Sequence, residues 1–173
     1  MGRTGTRRFD GKKHGWLRQG KELAVLIILL AVVFRFLIGV SLVSGDSMSP
    51  GLENGDMVLY TRIVKSCEPG DIVVIRMPSG EYYIKRVIAV EGDTVEIRDG
   101  QVLVNGQVLE EKYATGATKE EAGNLKYPYR VKSGRVFVLG DNREKSVDSR
   151  SFGAVSRTQI RGKVKFFIGW QKK

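Results

Sequence analysis

The chain has 173 residues and a formal charge of +10, enough for one domain or one domain with an appendage. The charge does not point to nucleic acid: seven basic residues against two acidic ones crowd into residues 1–22, and neither an RNA-binding aromatic signature nor a zinc-finger spacing occurs. Cys67 is the only cysteine and His14, in the basic tail, the only histidine, which excludes an internal disulfide, a Ser-His-Asp triad in the folded part and a His/Cys zinc site.

Residues 1–22 read as a polar, basic tail, with Trp16 suited to a membrane–water interface. Leu23 to Val43 is apolar except for Arg35 and Ser41 and is long enough to cross a bilayer. It is expected to be a single transmembrane signal anchor. The basic flank places the N-terminus in the cytoplasm and residues 44–173 outside the cytoplasmic membrane. If Arg35 snorkels to the outer interface, the span shifts toward Trp16, and Phe36 to Val43 lies along the outer surface. A cleaved signal peptide is the alternative, but no clear small-x-small site follows the run.

Beyond Gly45 short apolar runs alternate with turns. Met57–Thr61, Ile72–Arg76, Tyr82–Val90, Arg135–Leu139 and Lys163–Ile168 are rich in β-branched and aromatic residues and read as strands. Asp99-Gly100 and Asn105-Gly106 predict tight hairpins. Lys112 to Lys132 has no clear period and reads as a long surface loop. The expected fold is mostly β, an antiparallel sheet or barrel-like domain behind one membrane helix.

Three stretches could carry chemistry. Ser44 to Leu52 presents Ser47 on a short turn stiffened by Pro50, as a nucleophilic serine needs. With no histidine to hand, Lys85 is the candidate base. It alternates with Tyr83, Val87 and Ala89 on a largely apolar strand face, and burial there favours the neutral amine. Arg86 points the other way and reads as structural. Gly140 to Gly153 crowds Asp141, Asn142, Arg143, Ser146, Asp148, Ser149 and Arg150 into a loop able to lock itself by hydrogen bonds and ion pairs. Cys67, with no histidine partner, reads as structural. No metal or cofactor is expected.

Taken in order, the anchor, Ser47-Met48-x-Pro50, Gly70-Asp71-Ile72-Val73-Val74, Lys85-Arg86-Val87, Gly140-Asp141-Asn142-Arg143, Ser146 and Asp148-Ser149-Arg150 resemble a bacterial type I signal peptidase of the compact Gram-positive form. The resemblance implies a membrane-bound serine endopeptidase that cleaves signal peptides from exported preproteins with small residues at the first and third positions before the cut. It implies Ser47 as nucleophile, Lys85 as general base and Ser146 as the serine that orients the lysine amine. Asp141, Arg143, Asp148 and Arg150 match positions that hold the site together, and the backbone N–H of Ser47 matches the oxyanion donor. Gly45 stands where some members have a further serine donor, Gly51 where threonine is usual, and Glu144-Lys145 where an Asp-Asn pair is commoner.

Two rival readings keep the β domain. A self-cleaving repressor of the LexA type shares the related fold and a Ser-Lys dyad, but here a membrane segment replaces the DNA-binding helices. A non-catalytic, membrane-tethered binding module would not need Ser47, Lys85 and Ser146 together. The apolar groups Phe36 to Val43 and Phe166, Phe167, Ile168 and Trp170 are expected to rest partly on lipid.

Overall fold

The computed structural model describes residues 11–121 and 125–169. Trp170 and residues 1–10 therefore lie outside the described residues. The chain divides into two units, one ending at Leu37 and one beginning at Ile38.

The first unit is helix α1 (Gly11–Val32), continued by a π-helical turn (Val33–Leu37). Its apolar side chains from Leu23 to Val32, with Phe34 and Phe36, are exposed, and Arg35 stacks on Phe36. Among the described residues, no helix is long and apolar enough to cross a membrane. The expected continuous span from Leu23 to Val43 is therefore corrected: the helix stops at Leu37, and Ile38–Leu42 is strand β1. The cause is local. Ile38 and Val40 are β-branched, and β1 pairs in continuous register with β2 (Met57–Thr61), from Ile38 opposite Thr61 to Leu42 opposite Met57. The Tyr60 ring fills the space where Gly39 and Gly162 lack a Cβ, and at Gly162 an added Cβ would also meet the Thr61 carbonyl.

The second unit is antiparallel β, as expected. The remaining strands are β3 (Ile72–Arg76), β4 (Tyr82–Val90), β5 (Thr94–Arg98), β6 (Gln101–Val104), β7 (Gln107–Val108), β8 (Tyr129–Arg130), β9 (Arg135–Leu139), β10 (Val155–Ser156) and β11 (Ile160–Ile168). A short helix, α2 (Ser149–Phe152), precedes β10. A seven-stranded sheet runs β1-β2-β11-β3-β4-β9-β10, and a smaller one runs β7-β6-β5-β8. Register shifts in β11 and β4 mark bulges, which bend and twist the larger sheet into a curl. The Asp99-Gly100 and Asn105-Gly106 turns have positive φ at all four residues, as tight hairpins between twisted strands require.

Three apolar clusters hold the sheets. Val73, Ile75, Val87, Val136 and Val138 fill the first, and Ile88, Ala89, Val95, Phe137 and Leu139 the second. Val43, Met48, Leu52 and Val58 fill the third. The β4 bulge corrects one expectation. The shift between Val87 and Ala89 breaks the alternation, so Ala89 leaves the Lys85–Val87 face and packs with the second cluster.

Candidate active site

The turn that carries Ser47 is pinned on both sides. Met48 and Leu52 are each 1% exposed and sit in the third cluster, while Leu52 N–H donates to the Met48 carbonyl at 2.9 Å. The Gly45 N–H donates to Asn54 Oδ1 at 3.0 Å, and Gly45 takes a positive φ of 86°. Buried anchors directly after the serine leave it half-exposed on a fixed backbone. Among the described residues the Ser47 N–H and hydroxyl have no hydrogen-bond partner, while its carbonyl accepts from Asn142 N–H at 3.1 Å.

Lys85 sits in the middle of β4, opposite Val73 on β3, and is 4% exposed. Its ammonium lies 5.6 Å from the centre of the Tyr83 ring. Burial pushes the amine down to about 8; Asp148 and Asp141 oppose this and Arg150 adds to it. No carboxylate pairs with it among the described residues. A groove of about 280 Å³ is lined by Ser47 and Lys85 together, between walls running Ser41–Met48 and Tyr82–Ile84, with Lys145 and Val147 at its rim. Lys145 reaches Asp46 across that rim at 3.6 Å.

The polar loop after β9 is locked, residue by residue. Asp148 is fully buried, accepts from Gly140 N–H at 3.0 Å and from the Arg150 guanidinium at 2.9 and 3.0 Å, and caps α2 through Arg150 N–H. Arg150 also donates to the carbonyls of Arg143 at 2.8 Å and Ser146 at 3.2 Å. Asp141, 1% exposed, takes two hydrogen bonds from Arg86 at 2.8 and 2.6 Å. Burial works against the charges of Arg86 and Arg150, but the carboxylates of Asp141 and Asp148 more than offset it, and both guanidiniums are held above their ordinary range. Arg86 thus has the structural place its outward position suggested.

Ser146 is buried, and among the described residues its Oγ has no hydrogen-bond partner; it is not bonded to Lys85. It packs against Gly140, where an added Cβ would overlap both the Ser146 side chain and the Ser47 carbonyl. Gly140 thus joins the nucleophile turn to the Ser146 loop; the sequence marked it only as the start of a motif. Reasoning also missed Glu111, Tyr113 and Thr118. Glu111 pairs with Arg143, Thr118 receives the same guanidinium, and the Tyr113 ring lies 4.0 Å from the Arg86 guanidinium. These residues correct the expected surface loop from Lys112 to Lys132: its first part is fastened to the polar loop, Thr118 is 2% exposed, and Tyr129–Arg130 is a strand. The signal available was an acidic residue, Glu111, placed soon after the Asn105-Gly106 turn in a chain whose polar loop carries Arg143 and Arg150.

A serine hydroxyl and a buried amine in one groove, on a curled antiparallel sheet, are the equipment of a serine hydrolase. Residues 16–170 match the family described as Signal peptidase, peptidase S26. Over 167 residues the chain is 34% identical to Signal peptidase I S of Bacillus subtilis (strain 168), covering 90% of each. Over 162 residues it is 35% identical to Signal peptidase IB of Staphylococcus aureus (strain Mu50 / ATCC 700699), covering 84% of this chain and 85% of the other. The crystal structure of a signal peptidase I from Enterococcus faecalis V583 matches with a TM-score of 0.51 and 32% identity, over 60% of this chain and 100% of that one. The chain belongs to the signal peptidase family, peptidase S26.

Proposed function

We propose that this chain is a membrane-anchored endopeptidase that removes signal peptides from exported preproteins, with Ser47 as nucleophile and Lys85 as its base. The observation that carries this reading is Lys85: a nearly inaccessible amine, held at about 8, lining one groove with Ser47. Neutral Lys85 takes the Ser47 proton as Oγ attacks the scissile carbonyl. The developing oxyanion is met by the Ser47 N–H, which has no other partner among the described residues. Lys85 then protonates the leaving amine, the new N-terminus. Water activated by Lys85 hydrolyses the acyl-enzyme and frees Ser47. Ser146 orients the amine, and Asp141, Arg143, Asp148 and Arg150 hold the loop that carries it. No step needs a metal or cofactor.

Anchoring is supported by the helix itself. Apart from Arg35, the side chains from Leu23 to Phe36 are apolar, and all of these but Val33 are exposed, a surface that water does not favour. Leu23 to Leu37, at 1.5 Å per residue, spans about 22 Å, short of the hydrocarbon thickness of about 30 Å. Snorkelling of Arg18 and Lys21, and local thinning of the bilayer, accommodate such a mismatch. The basic flank puts the N-terminus in the cytoplasm and the β domain outside. Two cross-strand rows, Val40–Leu59–Phe166 and Leu42–Met57–Ile168, give the domain an apolar ribbon suited to lipid contact.

The test is incubation of the purified chain with a preprotein, followed by N-terminal sequencing of the product. A new N-terminus after a small-x-small site supports the reading. An uncut preprotein, or a cut within this chain alone, contradicts it.

A further inference from the structure

We propose that Glu111 is a positioning residue of the peptidase centre, acting through Arg143 and Gly140. The proposal rests on the peptidase reading above and extends it to a residue outside the polar loop.

The geometry is a relay of three links. Glu111, with a side chain 10% exposed, grips the Arg143 guanidinium with both carboxylate oxygens. Arg143, 1% exposed at its side chain, turns its Nε to the Gly140 carbonyl at 3.0 Å. Gly140 in turn lies against the Ser146 side chain and the Ser47 carbonyl. A buried guanidinium with one carboxylate partner has no cheap alternative position, so the ion pair fixes the Gly140 carbonyl. The position of Ser146 relative to the nucleophile turn follows.

The segment around Glu111 is fastened independently. The Tyr113 hydroxyl donates to Glu111 Oε1 at 3.0 Å while its ring covers Arg86, the partner of Asp141. The Thr115 N–H donates to the Asp141 carbonyl at 2.8 Å, and Arg143 N–H donates to the Thr115 carbonyl at 3.0 Å. Residues 111–118 therefore form a strap that grips Arg143 and Arg86 from outside. The groove walls, Ser41–Met48 and Tyr82–Ile84, belong to other segments. Loss of Glu111 should therefore spoil alignment for chemistry and leave substrate binding alone.

The experiment uses the full-length chain in detergent, assayed on a preprotein, with turnover expressed per serine titrated by an acylating inhibitor. That normalisation removes any loss due to unfolded protein. Glu111→Gln keeps the shape and removes the charge; kcat per titrated serine should fall about 10- to 100-fold, with KM changed by less than about 2-fold. Tyr113→Phe keeps the ring on Arg86 and removes only the hydroxyl to Glu111; its kcat should fall about 2- to 5-fold. Should Glu111→Gln not fold, Tyr113→Phe decides alone. Wild-type turnover per titrated serine in the folded variants overturns the proposal, as does a loss expressed wholly in KM. A wild-type chain inert toward the preprotein overturns the peptidase reading instead, and the wild-type control separates the two failures.

Discussion

Gly140 lies flush against Ser146, so that a single added methyl would meet the Ser146 side chain and the Ser47 carbonyl at once. Its backbone is held on both sides, the N–H by Asp148 and the carbonyl by Arg143. Gly140→Ala should therefore push apart the two loops that carry Ser47 and Ser146. The expected outcome is a folded protein destabilised by about 1–3 kcal/mol, as for overpacked cores, with cleavage abolished. Denaturant unfolding and a preprotein assay check the two parts separately.

Ser146→Ala should behave differently. The buried Oγ makes no hydrogen bond, so its removal takes away an unsatisfied group and should cost almost no stability. Cleavage should still fall steeply, because the proposed role has this free hydroxyl turn to the Lys85 amine during the reaction. A variant that melts well below the parent, or cleaves at parental rate, contradicts that role.

The base must be neutral to work. With Lys85 held at about 8, chiefly by burial, the neutral fraction falls as pH drops through that value. The acidic limb of kcat/KM should fall near pH 8, since that parameter reports the free enzyme. Lys85→Arg should be inactive at every pH, because arginine keeps its proton. A limb near pH 10, or a working Lys85→Arg enzyme, would remove Lys85 from the mechanism.

The same lysine has a stability consequence of opposite appearance. Its folded value is depressed from an ordinary 10.5 to about 8, so the unfolded chain binds more protons between those values, and stability rises with pH across that window. Below about pH 8 the fold carries the full cost of a charged, buried amine. Lys85→Met should thus be more stable than the parent at pH 7, by about 3 kcal/mol, with the gain fading above about pH 10. Urea titrations at the two pH values measure it.

The β domain should hold to lipid without its helix. A fragment of residues 38–173 keeps the Val40–Leu59–Phe166 and Leu42–Met57–Ile168 rows. It should float with liposomes at low and high salt, as apolar contact is not screened. Release at both salt concentrations rules out these rows as a lipid-contact surface.

Much of this molecule was legible in its residue order. The β-branched runs gave most strands because burial on a sheet follows period two, and Asp99-Gly100 and Asn105-Gly106 marked hairpins because their backbone demands it. Ser47 and Lys85 stood out by elimination, since one remote histidine leaves few bases. What failed to show were long-range facts. That Gly39 and Gly162 both lie against Tyr60 is one of them, and nothing near Gly39 in sequence records it. The extra residue in β4 that moves Ala89 off the Lys85 face is set by its pairing with β9, where Ala89 lies opposite Phe137, 48 residues further along the chain. Glu111 looks like any exposed acid until Arg143 is beside it.

β1 closes one side of the larger sheet, with no strand beyond it among the described residues, and presents Val40 and Leu42 outward. An open edge with apolar side chains is a template for any extended chain that reaches it. Cut free from its helix and concentrated in water, the domain therefore carries a seed for edge-to-edge stacking of its own copies. Lysine at Val40 would blunt that seed by charge, and proline at the same position would blunt it by removing a donor.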